Sequence, residues 1–371
     1  MCNDIRLSIN EHFSKNGLQI SKPNGYVTRL LKKAMGKKRA EQWELLHTKY
    51  EMGRASKADL YRFLQNAQEI HLAFSFQWEL TIENHHWLAN KLSSTYQNGM
   101  SIGELGCCTG LFVGWLALQY PASTIVGFDS LSSLISIAKS SVDRPNAHFE
   151  LWDYRLPYSV DMKKLDCLVS AFGVDFVEKD NLHHQTAPEK ITSSSFYLEC
   201  KNEASEYFRS WRDAINDNGY LFISLRVPHY THFLALIDAA ESQGWTFEGN
   251  QSMKIHANLE SVPAMVFKAI PGQKKEIIEL LSFWCEGQDD ISKKKIFFDA
   301  EAVSVFLRLG KKKTSMDDSH TFDDGHTMCT AIGSTNEFGF SFSMATTGFA
   351  RLEIVPLSQV DKLEVKFEFW D

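Results

Sequence analysis

Between Met100 and Pro157 the chain reads as strand, glycine turn, helix, strand and acid, and this order restricts the possible folds more than any other stretch. Met100 to Leu105 is a short apolar run of the kind that forms a buried strand. Glu104-Leu-Gly106-Cys107-Cys108-Thr-Gly110 supplies a turn, and the next segment places Leu111, Trp115 and Leu118 at helical spacing before stopping at Tyr120, ahead of Pro121. A second strand, Thr124 to Phe128, ends on Asp129. The result is a βαβ unit with nucleotide-binding logic: glycines let the backbone approach a ligand, and an acid at the second strand tip holds two ribose hydroxyls. Asp129 lies 19 positions after Gly110, close to the roughly 20 residues that such an acid needs.

Two departures from the dinucleotide fingerprint bear on the ligand. The third close-packing glycine is missing, and Glu104 stands at the end of the first strand. A carboxylate there would repel a pyrophosphate but could accept from an ammonium or anchor the turn. An NAD-linked oxidoreductase is disfavoured for both reasons. The pattern resembles motif I of class I S-adenosylmethionine-dependent methyltransferases, with Cys108 where a glycine usually sits. The likeness extends through His148 to Asp153, Leu165 to Phe172 and Leu221 to Leu225 as third, fourth and fifth strands. Trp245 to Glu248 and Ala264 to Lys268 would be the terminal antiparallel pair. It covers residues 95–270.

The resemblance implies a Rossmann-like, seven-stranded α/β core and S-adenosyl-L-methionine as cofactor, with S-adenosyl-L-homocysteine as product. It implies a cofactor site made of Glu104, Gly106, Cys107, Cys108, Gly110, Asp129, Ser130, Trp152, Asp153, Tyr154 and Ala171. Asp129 would bind the ribose and Asp153 the adenine amino group, with an aromatic neighbour stacking on the base. Ser130 doubles as an N-cap for a helix that presents Leu131, Leu134, Ile135 and Ala138. The acceptor side follows the fourth strand, where Asp175, His183 and His184 are candidates to orient or deprotonate an acceptor. Arg226, just past the fifth strand, could bind an acceptor carboxylate or phosphate. The (Asp/Asn)-Pro-Pro-(Tyr/Phe) signature of amino-methylating relatives is absent, which argues against nucleic-acid amino groups as acceptors.

Residues 1–95 read as helical, with Val27, Leu30, Leu31 and Met35 on one face. Tyr26, Trp43, Tyr50, Phe74, Phe76 and Trp78 are available as a lid over the core at residues 96–271. This segment carries 14 Lys and Arg against 9 Asp and Glu, a local formal charge of +5 in a chain of net charge −7. A basic face could meet an acidic partner, but the acidic whole is a poor candidate for wrapping nucleic acid. Residues 180–204 read as a polar inserted loop. Residues 272–371 read as a small β-rich domain with an amphipathic sheet, suited to dimerisation or partner binding. Its strands would be Phe338 to Phe342, Ala350 to Val355 and Leu363 to Phe369, and turns are expected at Asp317-Asp-Ser and Asp323-Asp-Gly325.

No run of ~18 apolar residues is present, so no membrane span is expected. The first residues lack an apolar signal core. The seven cysteines show no CxxC or Cys/His zinc spacing, so no metal is expected. Reduced thiols in the cytoplasm are the expected state. The expected function is methyl transfer to an oxygen or nitrogen of a small molecule or peptide. The alternative is a catalytically silent, cofactor-binding scaffold whose appended domain does the work.

Overall fold

Side-chain caps start two of the N-terminal helices, and apolar spacing buries a third. The computed structural model describes residues 2–159, 162–172, 194–227, 230–257 and 260–272. Beyond these it describes residues 275, 279–280, 283, 295–298, 302–303, 305–306, 309, 313–321, 327–335, 338–345 and 349–363. Helices α1 (Cys2–Lys15), α2 (Asn24–Met35), α3 (Lys37–Glu51), α4 (Lys57–Phe63), α5 (Ala67–Phe74) and α6 (Trp78–Thr95) fill the first part of the chain. A capping box starts α4: Ser56 Oγ accepts from Asp59 N at 3.1 Å, and Asp59 Oδ2 accepts from Ser56 N at 2.9 Å. Asn66 caps α5 by accepting from Glu69 N at 3.0 Å. Helix α2 buries Val27, Leu31 and Met35, one turn apart along a single face.

The central sheet contains β1 (Ser101–Leu105), β2 (Thr124–Asp129), β3 (Ala147–Leu151), β4 (Leu165–Ala171), β5 (Ile215–Ser224), β6 (Thr246–Phe247), β7 (Met253–Ala257) and β8 (Glu260–Lys268). Its order is β3-β2-β1-β4-β5-β8-β6, with β7 also paired to β8. The first five strands are parallel, and β8 runs antiparallel to β5. Ala264 of β8 pairs with Ser224 on one side and Met253 on the other, so β6 and β7 share the outer edge of β8. The fold is the expected Rossmann-like one, with its sixth strand position split in two. Parallel alignment brings the carboxyl ends of β1, β2 and β4 to a common edge, where open α/β sheets bind ligands. Helices α7 (Leu111–Gln119) and α8 (Ser132–Ser141) connect β1 to β2 and β2 to β3. Helix α7 buries Phe112, Val113, Trp115 and Leu116, while Leu118 is exposed rather than part of the buried face. Helix α8 starts two residues after Ser130, with Leu131 in the N-cap position.

Two further helices, α9 (Ser194–Ala214) and α10 (Tyr230–Ser242), flank β5 in sequence. Helix α9 begins inside the stretch read as a polar loop, because Ser193-Ser-Ser195 resembles a turn cluster while the following residues have helical periodicity. The chain forms two compact units that do not follow chain order. One comprises Met1–His184, Glu206–Arg226 and Gly244–Pro271, so the N-terminal helices and the central sheet belong together. The other comprises Gln185–Ser205, Val227–Gln243 and Gly272–Asp371.

The second unit holds an antiparallel sheet of β9 (Lys295–Phe298), β10 (Lys313–Thr321), β11 (Thr327–Ser334), β12 (Phe338–Ala345) and β13 (Ala350–Pro356) in the order β10-β11-β12-β13-β9. Two features differ from expectation. Asp317 and Asp318 lie within β10, where pairing to Ala331 and Thr330 replaces the expected turn. Both faces of β12 and β13 are buried, so these strands are not amphipathic; Arg351 and Glu353 pair at 3.1 Å and offset each other's charge. Residues 323–325, with the expected second turn, and residues 364–371, with most of the expected last strand, lie outside the described residues.

Candidate functional site

The glycine turn is built from backbone conformations that ordinary residues avoid. Gly106, Cys108 and Gly110 have φ of 71°, 52° and 74°, in the left-handed region. The turn folds back on the end of β2: Cys107 N donates to Phe128 O at 2.8 Å, and Gly110 N donates to Cys107 O at 2.8 Å. Gly110 then caps α7, its carbonyl accepting from Gly114 N at 2.8 Å. A Cβ at Gly110 would sit 2.7 Å from the Phe149 ring, so the position excludes every other side chain twice over. Cys108 takes the same hand of backbone with a side chain attached. It shares an apolar cluster with Leu31, Met35, Leu64 and Leu134.

Two carboxyl groups meet at this turn. Glu104, at 5% exposure, keeps Oε2 without a hydrogen-bond partner among the described residues. Burial pushes its carboxyl well above the ordinary range; the Val113 N–H pulls the other way, and the Asp129 charge adds to the rise. Asp129, at 6% exposure, accepts from Cys108 N and from Leu131 N, each at 3.0 Å. Burial also raises its pKa, against the pull of those backbone donors. A carboxylate has about four lone-pair sites, so two backbone donors leave capacity for ligand hydroxyls.

A cavity of 770 Å³ opens at the carboxyl edge of the sheet. Of the residues expected to bind a cofactor, Glu104, Gly106, Cys107, Cys108, Asp129, Ser130, Tyr154 and Ala171 line it. Gly110, Trp152 and Asp153 do not line it. Gly110 lies beneath the turn, at a second cavity of 510 Å³ between α1 and α7. Trp152 is buried edge-on to Phe128 and Tyr158, with ring centroids 5.1 and 4.9 Å away, and its Nε1 donates to Leu156 O at 3.2 Å. Asp153 accepts from Arg155 Nε at 2.8 Å and Nη2 at 2.6 Å, and this pairing holds its carboxyl below the ordinary range. A bidentate guanidinium two residues away thus engages Asp153.

Arg226 lines the cavity; its guanidinium lies 5.0 Å from the Phe172 ring centroid and donates to Gln77 at 3.0 Å. Asp175, His183 and His184 lie outside the described residues. Of the six aromatic lid candidates, Trp43, Tyr50, Phe74 and Phe76 line the cavity, and Tyr26 and Trp78 do not.

Three features of the site carry no pattern in the sequence. His71 of α5 is buried, and its Nδ1 lies 2.5 Å from Asn16 O and its Nε2 2.8 Å from Thr109 Oγ1. With Nδ1 donating to the carbonyl, Nε2 accepts from the Thr109 hydroxyl, which ties the glycine turn to the N-terminal helices. Lys57 donates to Phe172 O at 3.4 Å, and its charge acts on Asp129. Phe172 has φ of 56° at the tip of β4, a left-handed conformation uncommon for an aromatic residue.

No protein-family model and no curated protein sequence matches this chain. Similar solved structures include a TehB-like SAM-dependent methyltransferase from Corynebacterium glutamicum, at 18% identity and TM-score 0.34, covering 50% of this chain and 86% of that one. TrmN from Thermus thermophilus is similar at 10% identity and TM-score 0.35, over 50% of this chain and 48% of that one. The CurJ carbon methyltransferase is similar at 11% identity and TM-score 0.41, over 68% and 72%. With five parallel strands in the order β3-β2-β1-β4-β5 and an antiparallel close, the central sheet of this chain has a Rossmann-like fold.

Proposed function

We propose that this protein binds S-adenosyl-L-methionine at the glycine turn and transfers its methyl group to an acceptor held in the same cavity. The observation that carries the reading is the buried oxygen of Glu104, without a partner among the described residues, beside Asp129 at the tips of adjacent parallel strands. A buried carboxyl without a partner is costly, and a cationic ligand group relieves that cost by pairing with it. The ammonium of the cofactor suits Glu104, and the ribose hydroxyls suit the remaining lone pairs of Asp129. Tyr154, on the cavity wall beside Tyr207, is placed to pack on an adenine ring. Lys57 and Arg226, which also line the cavity, are cations that suit the carboxylate of the amino acid moiety.

Such a cofactor supplies an already activated methyl group: a bond forms from the acceptor lone pair as the carbon–sulfur bond breaks, leaving S-adenosylhomocysteine. The protein therefore has to bind, align and exclude water, and it needs a base only where the acceptor carries a proton that must leave. The left-handed turn lets backbone approach the ligand, and the His71–Thr109 hydrogen bond holds that turn in place.

Calorimetry with S-adenosylmethionine, S-adenosylhomocysteine and NAD tests the reading. The first two are expected to bind and NAD is not. Asp129→Asn, which preserves shape, is expected to weaken both by about tenfold or more, on the worth of charge-assisted hydrogen bonds. Binding of NAD alone, or unaltered affinity in the Asp129 variant, would overturn it. Methyl transfer, measured with a labelled methyl group, separates an enzyme from a silent scaffold.

A further inference from the structure

The methyltransferase reading leaves the acceptor open, and the outer wall of the cavity narrows it. Resting on that reading, we propose that the acceptor is a small molecule with a flat, largely apolar body, seated against Trp43, Tyr61, Phe74 and Phe76. The two sides of the cavity differ in chemistry. The sheet side presents Glu104, Asp129, Lys57 and Arg226, which suit a charged, hydroxyl-bearing cofactor. The helical side presents aromatic rings that the fold leaves half-buried.

That exposure is selective. The same chain buries Trp115, Trp211 and Trp245 almost completely, so its core has room for large rings. Leaving apolar area in water is unfavourable, which makes a concave set of rings a place where a ligand recovers the loss. The rings are held in place before any ligand arrives. Tyr61 meets Phe74 edge-on at 6.0 Å, and Trp43 lies 5.9 Å from Phe63. Beneath them, Leu31, Met35 and Leu64 are buried in one cluster with Cys108, so the apolar floor runs from the helices to the glycine turn.

Charge argues against a polyanion on this side. Lys32, a cation of α2 that lines the cavity, pairs with Glu44 at 2.6 Å. Arg39 pairs with Glu69 at 2.7 Å, and Arg62 with Asp59 at 3.2 Å. These three cations are therefore matched locally and do not add up to a phosphate-binding face on the aromatic wall.

The test uses 2-naphthol as probe on the full chain, by calorimetry, with S-adenosylhomocysteine titrated separately. Saturable binding to one site is expected, weakened about tenfold in Trp43→Ala and Tyr61→Ala by the loss of ring contact area. Affinity for S-adenosylhomocysteine should stay within about twofold of wild type in both variants, and Tyr61→Phe should bind naphthol as wild type does. Should either alanine variant lose its thermal transition, Phe76→Leu takes its place with the same expectation. The proposal fails if naphthol does not bind, if the variants bind it unchanged, or if oligouridylate or a basic peptide displaces it. Failure of S-adenosylhomocysteine to bind wild type would instead overturn the cofactor reading, because the naphthol titration stands without it.

Discussion

Replacing Gly110 by alanine tests whether the glycine turn is as tightly determined as its geometry requires. Its φ of 74° is a left-handed conformation, which costs a residue with a Cβ about 1–2 kcal/mol. The new methyl would also lie 2.7 Å from two atoms of the Phe149 ring and 3.1 Å from Val142 Cγ2. Phe149 is buried, so the ring cannot swing into solvent, and overpacking of this kind costs about 1–3 kcal/mol. Together the two effects predict a loss of about 2–5 kcal/mol, a large share of the roughly 5–15 kcal/mol that holds a domain folded. Urea denaturation followed by far-UV circular dichroism reads this as a lowered midpoint. Gly25→Ala is the control: it lies in α2 with nothing within 4 Å of the added methyl, and alanine there should be neutral or stabilising by up to about 1 kcal/mol. Phe149→Leu combined with Gly110→Ala should lose less than the sum of the single changes, because the leucine relieves the clash. A Gly110→Ala protein within about 0.5 kcal/mol of wild type, or strict additivity with Phe149→Leu, would refute the argument.

Acid should destabilise the sheet-bearing unit. Burial lowers the His85 pKa to about 4, against the pull of the Thr81 carbonyl, and burial also lowers His71 and His12. The unfolded chain then binds protons from near pH 6.5 downward that the folded chain refuses, so stability is full above that pH. The His85 contribution falls as pH drops toward 4, by up to about 1.4 kcal/mol per pH unit, while the raised carboxyls of Glu104 and Asp129 act in the opposite direction; urea midpoints of wild type and His85→Gln at pH 7, 6 and 5 isolate it, and the same pH slope in both proteins would contradict it. Glu69→Ala should lower the unfolding free energy by about 3 kcal/mol, read as a lowered urea midpoint, since it strands Arg39 and the Gln65 N–H beside a buried site. Asp153→Asn should change S-adenosylmethionine affinity less than Asp129→Asn, because Asp153 is engaged by Arg155 while Asp129 lines the cavity; calorimetry on both variants decides it.

The part of the site that was legible in the sequence is the part that depends on neighbours in the chain. A glycine turn between two apolar strands, with an acid closing the second, is a local pattern because strand period, turn conformation and helix start are set within a few residues. Asp153 shows where this reasoning thins out. An acid after the third strand was visible, but whether its carboxylate faces a ligand or Arg155 depends on side-chain rotamers that no spacing encodes. The first part of helix α9 was hidden for a similar reason, although a helix from Tyr207 to Ile215 was legible: three serines look like a loop until tertiary packing selects the helix.

The amino-acid order by itself determined the βαβ unit, the helical N-terminal segment and the positions of Glu104 and Asp129 at strand ends, since periodicity and turn chemistry act over short distances. Only the tertiary structure decided that α3 to α5 line the cavity with aromatic rings, that His71 reaches Thr109 across the fold, and that one oxygen of Glu104 is left without a partner among the described residues. Those outcomes arise from burial, which joins side chains distant in sequence and sets the cost of each polar atom by what surrounds it.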